Sequence, residues 1–594
     1  MKTIKSLDHF LLKSLTVIIL IFISVSVFGQ APDNHFLNAT DYGVSPSLAD
    51  NYNKLDSLFI NHPNSDIYVP PGVYKIVNDS VTHGGQGYLK IQNYQGHLLC
   101  GANTIFQFQK AQGGFNFLGG TGARLENIHV EFATLPSTRN NLHSINVGMA
   151  QNIVVNNITV NGSGGVGLLF NLCYNPQVSN IVITNTMADG CSFYSCQNVQ
   201  LNGLITKNTG DDAMAFFQSS GKLPLERATI TNLILKQSYA RGIAINGTSD
   251  VYISNFMIDS TSAAGIYVAK ESSVTYRPTN IFIANGNVRH GGVLTGRGVT
   301  GSKNGVTVTG AGSVYLNNVA VKRSQEKGFY VYNTNFINAA QIAVDTSGTL
   351  GVAIDTNVMT VLRNITSKNS GQYGIKITKN KNAIAENLTV NNAWKDAAVT
   401  PNLHRAIWFE SNVNFYSDAL TLLDDDATTT TARADTVGEY NTLGSGYFGD
   451  IQYMISSTSP QVFGLVSSST TVKTGLINLL PKGGVKNGIV YQGDKSLLTT
   501  AAGTSGQFLS NASGTPVWVT PIVQGPSSTS FTGAASVTVT FTSPGFTPSN
   551  VLWTPTNSIG TSGWYITGIT STSFTINYTT TPSGTVTGKY TLIK

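Results

Sequence analysis

Val178-Ser179-Asn180-Ile181-Val182-Ile183 sets apolar residues on both sides of one asparagine, and the arrangement returns as Ile253-Ser254-Asn255-Phe256-Met257-Ile258 and Leu362-Arg363-Asn364-Ile365-Thr366. Aligned on that residue, Asn157, Asn180, Gly203, Asn232, Asn255, Asn285, Asn318, Gln341, Asn364 and Asn387 are separated by 23, 23, 29, 23, 30, 33, 23, 23 and 23 residues. A unit this short cannot bury its own apolar face and must stack on copies of itself; the longer steps fit loops that leave the stack intact. Asparagine at a recurring corner tolerates left-handed backbone and can hydrogen-bond along the ladder. The pattern therefore predicts an all-β chain built as a parallel β-helix.

A second strand recurs after each corner, in Gly167-Leu168-Leu169-Phe170, Gly190-Cys191-Ser192-Phe193, Ala213-Met214-Ala215-Phe216, Gly242-Ile243-Ala244-Ile245 and Gly374-Ile375-Lys376-Ile377. Alternation sends Leu168, Cys191, Met214, Ile243 and Ile375 inward and leaves Leu169, Ser192, Ala215, Ala244 and Lys376 on an outer face where a ligand can lie. Upstream, Tyr52, Leu55, Leu58 and Phe59 at helical spacing behind Asp50 predict a short helix over 51–61 that plugs the open end of the solenoid.

The ends differ from the middle. Residues 1–29 combine Lys2, Lys5 and Lys13 with the apolar run Leu15 to Phe28, as a secretory signal peptide does, and the run is short for a membrane span of about 20 residues. The expectation is a secreted, extracellular or cell-surface protein with no membrane span in its mature form. Losing Lys2, Lys5, Lys13 and Asp8 takes the formal charge from +6 to +4, too weak a bias to suggest nucleic acid. Residues 36–427 are assigned to the β-helix, 428–526 to an irregular β-rich region and linker, and 527–594 to a small C-terminal β-sandwich, where alternation in Ser536–Phe541 and Ser573–Tyr578 is broken by turn residues. The four cysteines form neither a disulfide framework nor a zinc pattern. Cys173 and Cys196, one repeat apart, would stack within disulfide range, whether bonded or as two thiols.

Two acidic corners carry the candidate chemistry. Asp189 to Asp212 is 23 residues and Asp212 to Arg241 is 29, matching the asparagine steps at those coils, so these side chains should share a column, with Asp211 adjacent. Stacked carboxyls about 5 Å apart cannot all ionise freely, and separated pKa values are what glycosidic hydrolysis uses, one carboxyl giving a proton and another activating water. Arg241, Tyr267, Lys270 and Arg277 would rim the same groove, the aromatic ring stacking on sugar and the cations pairing with acidic groups.

The "DYG" stretch at 41–43, the following helix and "PPGVY" at 70–74 resemble the entry segment of the pectate-lyase-like superfamily, a resemblance that runs over roughly 38–427 and implies a right-handed parallel β-helix. Gly210-Asp211-Asp212-Ala213 resembles the Gly-Asp-Asp motif of family 28 polygalacturonases, and Asp189-Gly190 the end of their Asn-Thr-Asp-Gly motif. That resemblance implies Asp211 as general acid and Asp189 and Asp212 as holders of the attacking water. It departs at Ala240-Arg241-Gly242, where the family has Gly-His-Gly, at Tyr267-Val268-Ala269, where it has Arg-Ile-Lys, and in the extra Met187 and Ala188. The Ala501–Trp518 stretch resembles tail-fibre linkers.

Three readings stand at this level. The first is a polysaccharide-degrading glycoside hydrolase needing no metal or organic cofactor. The second is a uronate polysaccharide lyase with Ca²⁺ held by the three aspartates and Arg241 aiding proton abstraction. The third is a tailspike-like or adhesin-like carbohydrate-binding protein with inert aspartates. The expected partner is a polysaccharide, and the expected state a monomer or a trimer.

Overall fold

The computed structural model describes residues 35–78, 87–218, 221–295, 301–393 and 406–424, and further strand and turn segments between 436 and 593. The segment 1–29, expected to be a signal peptide, lies outside the described residues. The chain divides into a unit ending at Lys482 and a second unit over Gly483–Lys594.

The first unit is a right-handed parallel β-helix. Each central coil contributes a four-residue strand, such as Cys191–Tyr194, Met214–Phe217 or Ile243–Asn246, stacked in parallel on its counterpart one coil away. A longer strand follows, such as Gln177–Thr186, Gln197–Thr209 or Leu225–Ser238, paired in the same way. The long strands are creased at the recurring asparagine. Asn180, Asn255 and Asn364 have φ of 55°, 57° and 55°, in the left-handed region, and the pairing of neighbouring strands skips them. Part of the ladder is directly bonded: the Asn157, Asn318 and Asn387 amides donate to Asn127, Asn285 and Asn364 at 2.8, 2.9 and 2.6 Å.

A second column of left-handed corners was not legible in the sequence. Asn185, Asn208, Gln237, Ser260, His290, Arg323, Thr346, Asn369 and Asn392 repeat the increments of the first column, but their side chains are too varied to form a pattern.

Alternation on the short strands holds for the interior, where Phe170, Phe193 and Phe216 are fully buried and stack at 4.9 and 5.6 Å. Each fully buried ring of this kind is worth roughly 1.5–3 kcal/mol of hydrophobic stabilisation. The exterior differs from expectation. Lys376 is partly exposed, but Leu169, Ser192, Ala215 and Ala244 are buried; Leu169 packs with Val166, Ala188 and Tyr194, and Ser192 is held against Asp189.

The capping helix spans Tyr52–Asn61 and buries Tyr52, Leu55, Leu58 and Phe59. Asp50 accepts the Tyr52 N–H at 2.9 Å, and Phe59 meets Tyr94 and Phe117 edge-on, so the helix covers the start of the short-strand sheet. At the other end, parallel pairing continues past residue 427 to Ile477–Pro481. The expected irregular region is thus partly further coils, hidden because Leu420, Ile451 and Ile477 are spaced 31 and 26 residues apart. The second unit contains two three-stranded antiparallel sheets between Gln524 and Ile593, with Trp553, Phe574, Ile576 and Leu592 in one buried cluster. All four cysteines are free and buried, and Cys173 and Cys196 are hydrogen-bonded thiols with no disulfide between them. Among the described residues no helix is long and apolar enough to cross a membrane.

Candidate active site

The acidic corners join the end of each long strand to the next short one, and buried hydroxyls fix their shape. Thr186 donates to the Ala188 carbonyl at 2.7 Å, Thr209 to that of Asp211 at 3.1 Å, and Ser238 to those of Asp211 and Arg241 at 2.7 and 2.6 Å. Gly210 is needed where the corners stack, since a Cβ there would lie 2.3 Å from the Met187 carbonyl oxygen.

Stacking brings the column together as its spacing requires. The Asp212 N–H donates to Asp189 Oδ1 at 3.3 Å, and the Arg241 N–H to Asp212 Oδ1 at 2.9 Å, so each carboxyl caps the next coil. Ser192 donates to Asp189 Oδ2 at 2.7 Å from the floor of the outer face. Asp211 turns toward solvent, and one oxygen from each of Asp189, Asp211 and Asp212 lies within 4.8 Å of the other two. Asp189 and Asp212 are 6% and 5% exposed, whereas the Asp211 side chain is 21% exposed, so the cluster has an inner pair and an outer member.

Burial dominates the electrostatics of the inner pair. It raises the Asp189 pKa from 3.8 to about 6, with the Asp211 charge adding to the rise and the Ser192 hydrogen bond and Arg139 opposing it. Burial also pushes Asp212 well above the usual carboxylate range, reinforced by Asp189 and opposed by Arg241. Near neutral pH this pair therefore retains a proton that isolated aspartates would have lost.

Two arginines flank the acids. Arg241, expected from the sequence, approaches Asp212 Oδ2 at 3.5 Å, bonds Glu271 at 2.9 Å and lies 4.5 Å over the Tyr267 ring. Arg139 was not anticipated; it pairs with Asp211 at 2.5 Å across 72 residues of sequence. Its segment is docked on the neighbouring corner, with the Asn140 N–H donating to the Gly164 carbonyl at 2.7 Å and His143 Nδ1 accepting the Val166 N–H at 3.1 Å. Burial lowers the His143 pKa to about 4, which keeps that ring a neutral acceptor. Nothing in the 133–144 stretch repeats, so the sequence held no signal for Arg139. Burial and the charges of all three acids raise the Tyr194 pKa, and the Tyr194 ring lies 5.6 Å from that of Phe217.

The other expected residues separate. Tyr267 is at the site through Arg241, but Lys270 is exposed at the far end of its strand and Arg277 donates to Asn335 Oδ1 at 3.3 Å. Both follow the short strand whereas the acids precede it, so the structure does not bring Lys270 and Arg277 to the carboxyls. Along the outer face, Ala244, Tyr267, Thr307, Tyr330, Ala353, Lys376 and Trp408 pair in register from coil to coil, carrying aromatic rings away from the acids along the solenoid.

Chemically, the arrangement can hold and move a proton between the inner pair and a bound oxygen while the outer carboxylate orients a water. Its oxygen spacing also fits one Ca²⁺ with ligands at about 2.3–2.6 Å. Two guanidinium groups already offset the negative charge.

No protein-family model matches the chain, and no curated protein sequence matches it. Solved structures resemble it in fold. The catalytic domain of a GH87 alpha-1,3-glucanase in complex with tetrasaccharides is 17% identical at a TM-score of 0.43, covering 66% of this chain and 69% of that one. The family 28 exopolygalacturonase of Yersinia enterocolitica is 13% identical at 0.41, covering 70% and 79%. The pre-mature gene product 12 of bacteriophage phi29 is 12% identical at 0.45, covering 76% and 68%.

Proposed function

We propose that this chain is an exported glycoside hydrolase that cleaves a polysaccharide laid along the outer face of the short-strand sheet. The observation that carries the reading is the convergence of three carboxyls, two buried and one open to the face, with oxygens within 4.8 Å of one another. The inner pair, Asp189 and Asp212, supplies the proton to the leaving oxygen, and Asp211, fixed by Arg139, orients and deprotonates the attacking water. This division reverses the roles implied by the polygalacturonase resemblance, because the proton is held where burial is deepest. Arg241, clamped between Asp212, Glu271 and Tyr267, positions the inner pair. Tyr267, Tyr330 and Trp408 offer ring faces for successive parts of a chain-like substrate. Export follows from the 1–29 segment, so the polymer is met outside the cell.

Calcium-dependent elimination is the second reading, favoured by the oxygen spacing that one cation would require. Hydrolysis is preferred because Arg139 and Arg241 already engage two of the three acids.

Incubation with a polysaccharide panel, beside Asp211→Asn and Asp212→Asn variants, tests the proposal. Hydrolysis gives new reducing ends without ultraviolet-absorbing unsaturated products and is indifferent to chelator. Unsaturated ends that vanish with chelator would establish the lyase. Binding without cleavage by any form would leave an adhesin.

A further inference from the structure

We infer that the chain carries a second, non-catalytic glycan site, in a cleft of about 460 Å³ at the corner on the other side of the short strands from the acids. One wall is an amide ladder. Asn175 donates to Asn152 Oδ1 at 2.9 Å, Asn198 to Asn175 Oδ1 at 2.6 Å, and Arg227 to Asn198 Oδ1. An amide bonded this way on both sides keeps one N–H and one lone pair free, so the wall presents alternating donors and acceptors at the coil spacing of about 4.8 Å.

The facing wall is the outward row of the long strands, where Gln177, Gln200, Thr229 and Tyr252 are paired in register. These side chains are exposed and polar until Tyr252, which is 48% exposed and closes one end of the cleft. Its ring is not loose. It stacks on Phe282 at 4.6 Å and 3°, and Phe282 on Tyr315 at 4.4 Å and 5°, a column that fixes the outermost face as a platform.

Groups that both donate and accept suit hydroxyls, and a rigid aromatic face suits the C–H side of a pyranose ring. Charge excludes polyanions as the preferred occupant. The cleft's one lining cation, Arg227, is paired with the Glu226 carboxylate at 3.1 Å, which offsets its charge, and its remaining bonds hold it to Gln197 and Asn198, so the lining offers no excess positive charge for phosphate or uronate. The occupant is therefore an uncharged polysaccharide segment running along the solenoid. This site stands independently of the acids and would hold the protein on its polymer while cleavage proceeds elsewhere.

The test is retardation of the full chain in native gels containing glucan, mannan, xylan or galactan, with polygalacturonate as the charged comparison and Asp212→Asn to prevent cleavage. At least one uncharged polysaccharide should retard wild type and Asp212→Asn equally. Tyr252→Ala, and separately Gln177→Ala/Gln200→Ala in case loss of the ring disturbs the stack, should each weaken retardation at least fivefold. Cleavage of short oligosaccharides should be unchanged in both. Retardation by no uncharged polysaccharide, retention of full binding by both variants, or loss of binding in Asp212→Asn alone would each overturn the proposal. A protein that binds through the cleft but cleaves nothing would refute the hydrolase and leave the cleft standing.

Discussion

Replacing Asp189 with asparagine should make the protein more stable at pH 8 and change little at pH 4. Asparagine fits the site, since its oxygen can still accept the Asp212 N–H and its amide can donate to a rotated Ser192 hydroxyl. A carboxyl whose folded pKa stands above its unfolded value binds more protons in the native state across the interval between them, so stability falls as pH rises through that interval. Here the interval runs from 3.8 to about 6. At 1.36 kcal/mol per pH unit, the wild type loses at most about 3 kcal/mol across it, a loss the neutral amide avoids. With an unfolding entropy of about 2.1 cal/mol/K per residue over a β-helical unit of roughly 450 residues, 1 kcal/mol moves Tm by about 1 °C. The gap between variant and wild type should therefore open from near zero at pH 4 to a few degrees at pH 8, read by calorimetry or by urea midpoints. A gap that is constant with pH, or that closes as pH rises, would show that Asp189 does not carry the raised pKa and would remove the proton store from the mechanism.

The same titration shapes activity: cleavage should begin to fall as pH rises through about 6, where Asp189 gives up its proton and Asp212 alone keeps one, seen in rate profiles from pH 4 to 8. Arg139→Leu should shift that limb to higher pH, because Arg139 opposes the rise at Asp189. It should cost no more than about 1 kcal/mol of stability, the Arg139 side chain being 58% exposed. Asn364→Ala, at φ 55°, should cost about 1–2 kcal/mol and Asn364→Gly less, in urea unfolding. Cys173 and Cys196 should react with a thiol reagent only after unfolding, with no reductant needed, because both are free and buried.

The fold was legible because one physical requirement, a left-handed corner in every coil, selects asparagine often enough to leave a beat in the chain. Where the same geometry is met by His290, Arg323 or Thr346, it left none. The acid column was legible for a related reason, since Asp189, Asp212 and Arg241 obey the coil increments and Asp211 sits beside them. Arg139 was not, because it reaches the site from a non-repeating segment through tertiary docking alone. Lys270 and Arg277 were misplaced by reasoning from proximity in sequence: a four-residue strand is long enough to carry them to the other corner. The buried state of Ser192 and Ala244 also lay beyond alternation, which tells inside from outside but not what stands over the outside.

The most direct measurement of the central claim compares wild type with Asp189→Asn, Asp211→Asn and Asp212→Asn, each matched by circular dichroism, in the release of reducing ends from whichever polysaccharide the wild type cleaves. The account expects each variant to lose at least about a hundredfold in rate, as removal of a proton-transfer group does. Cleavage at the wild-type rate by the Asp211→Asn and Asp212→Asn variants would contradict it, leaving the three acids as structural corners of the solenoid.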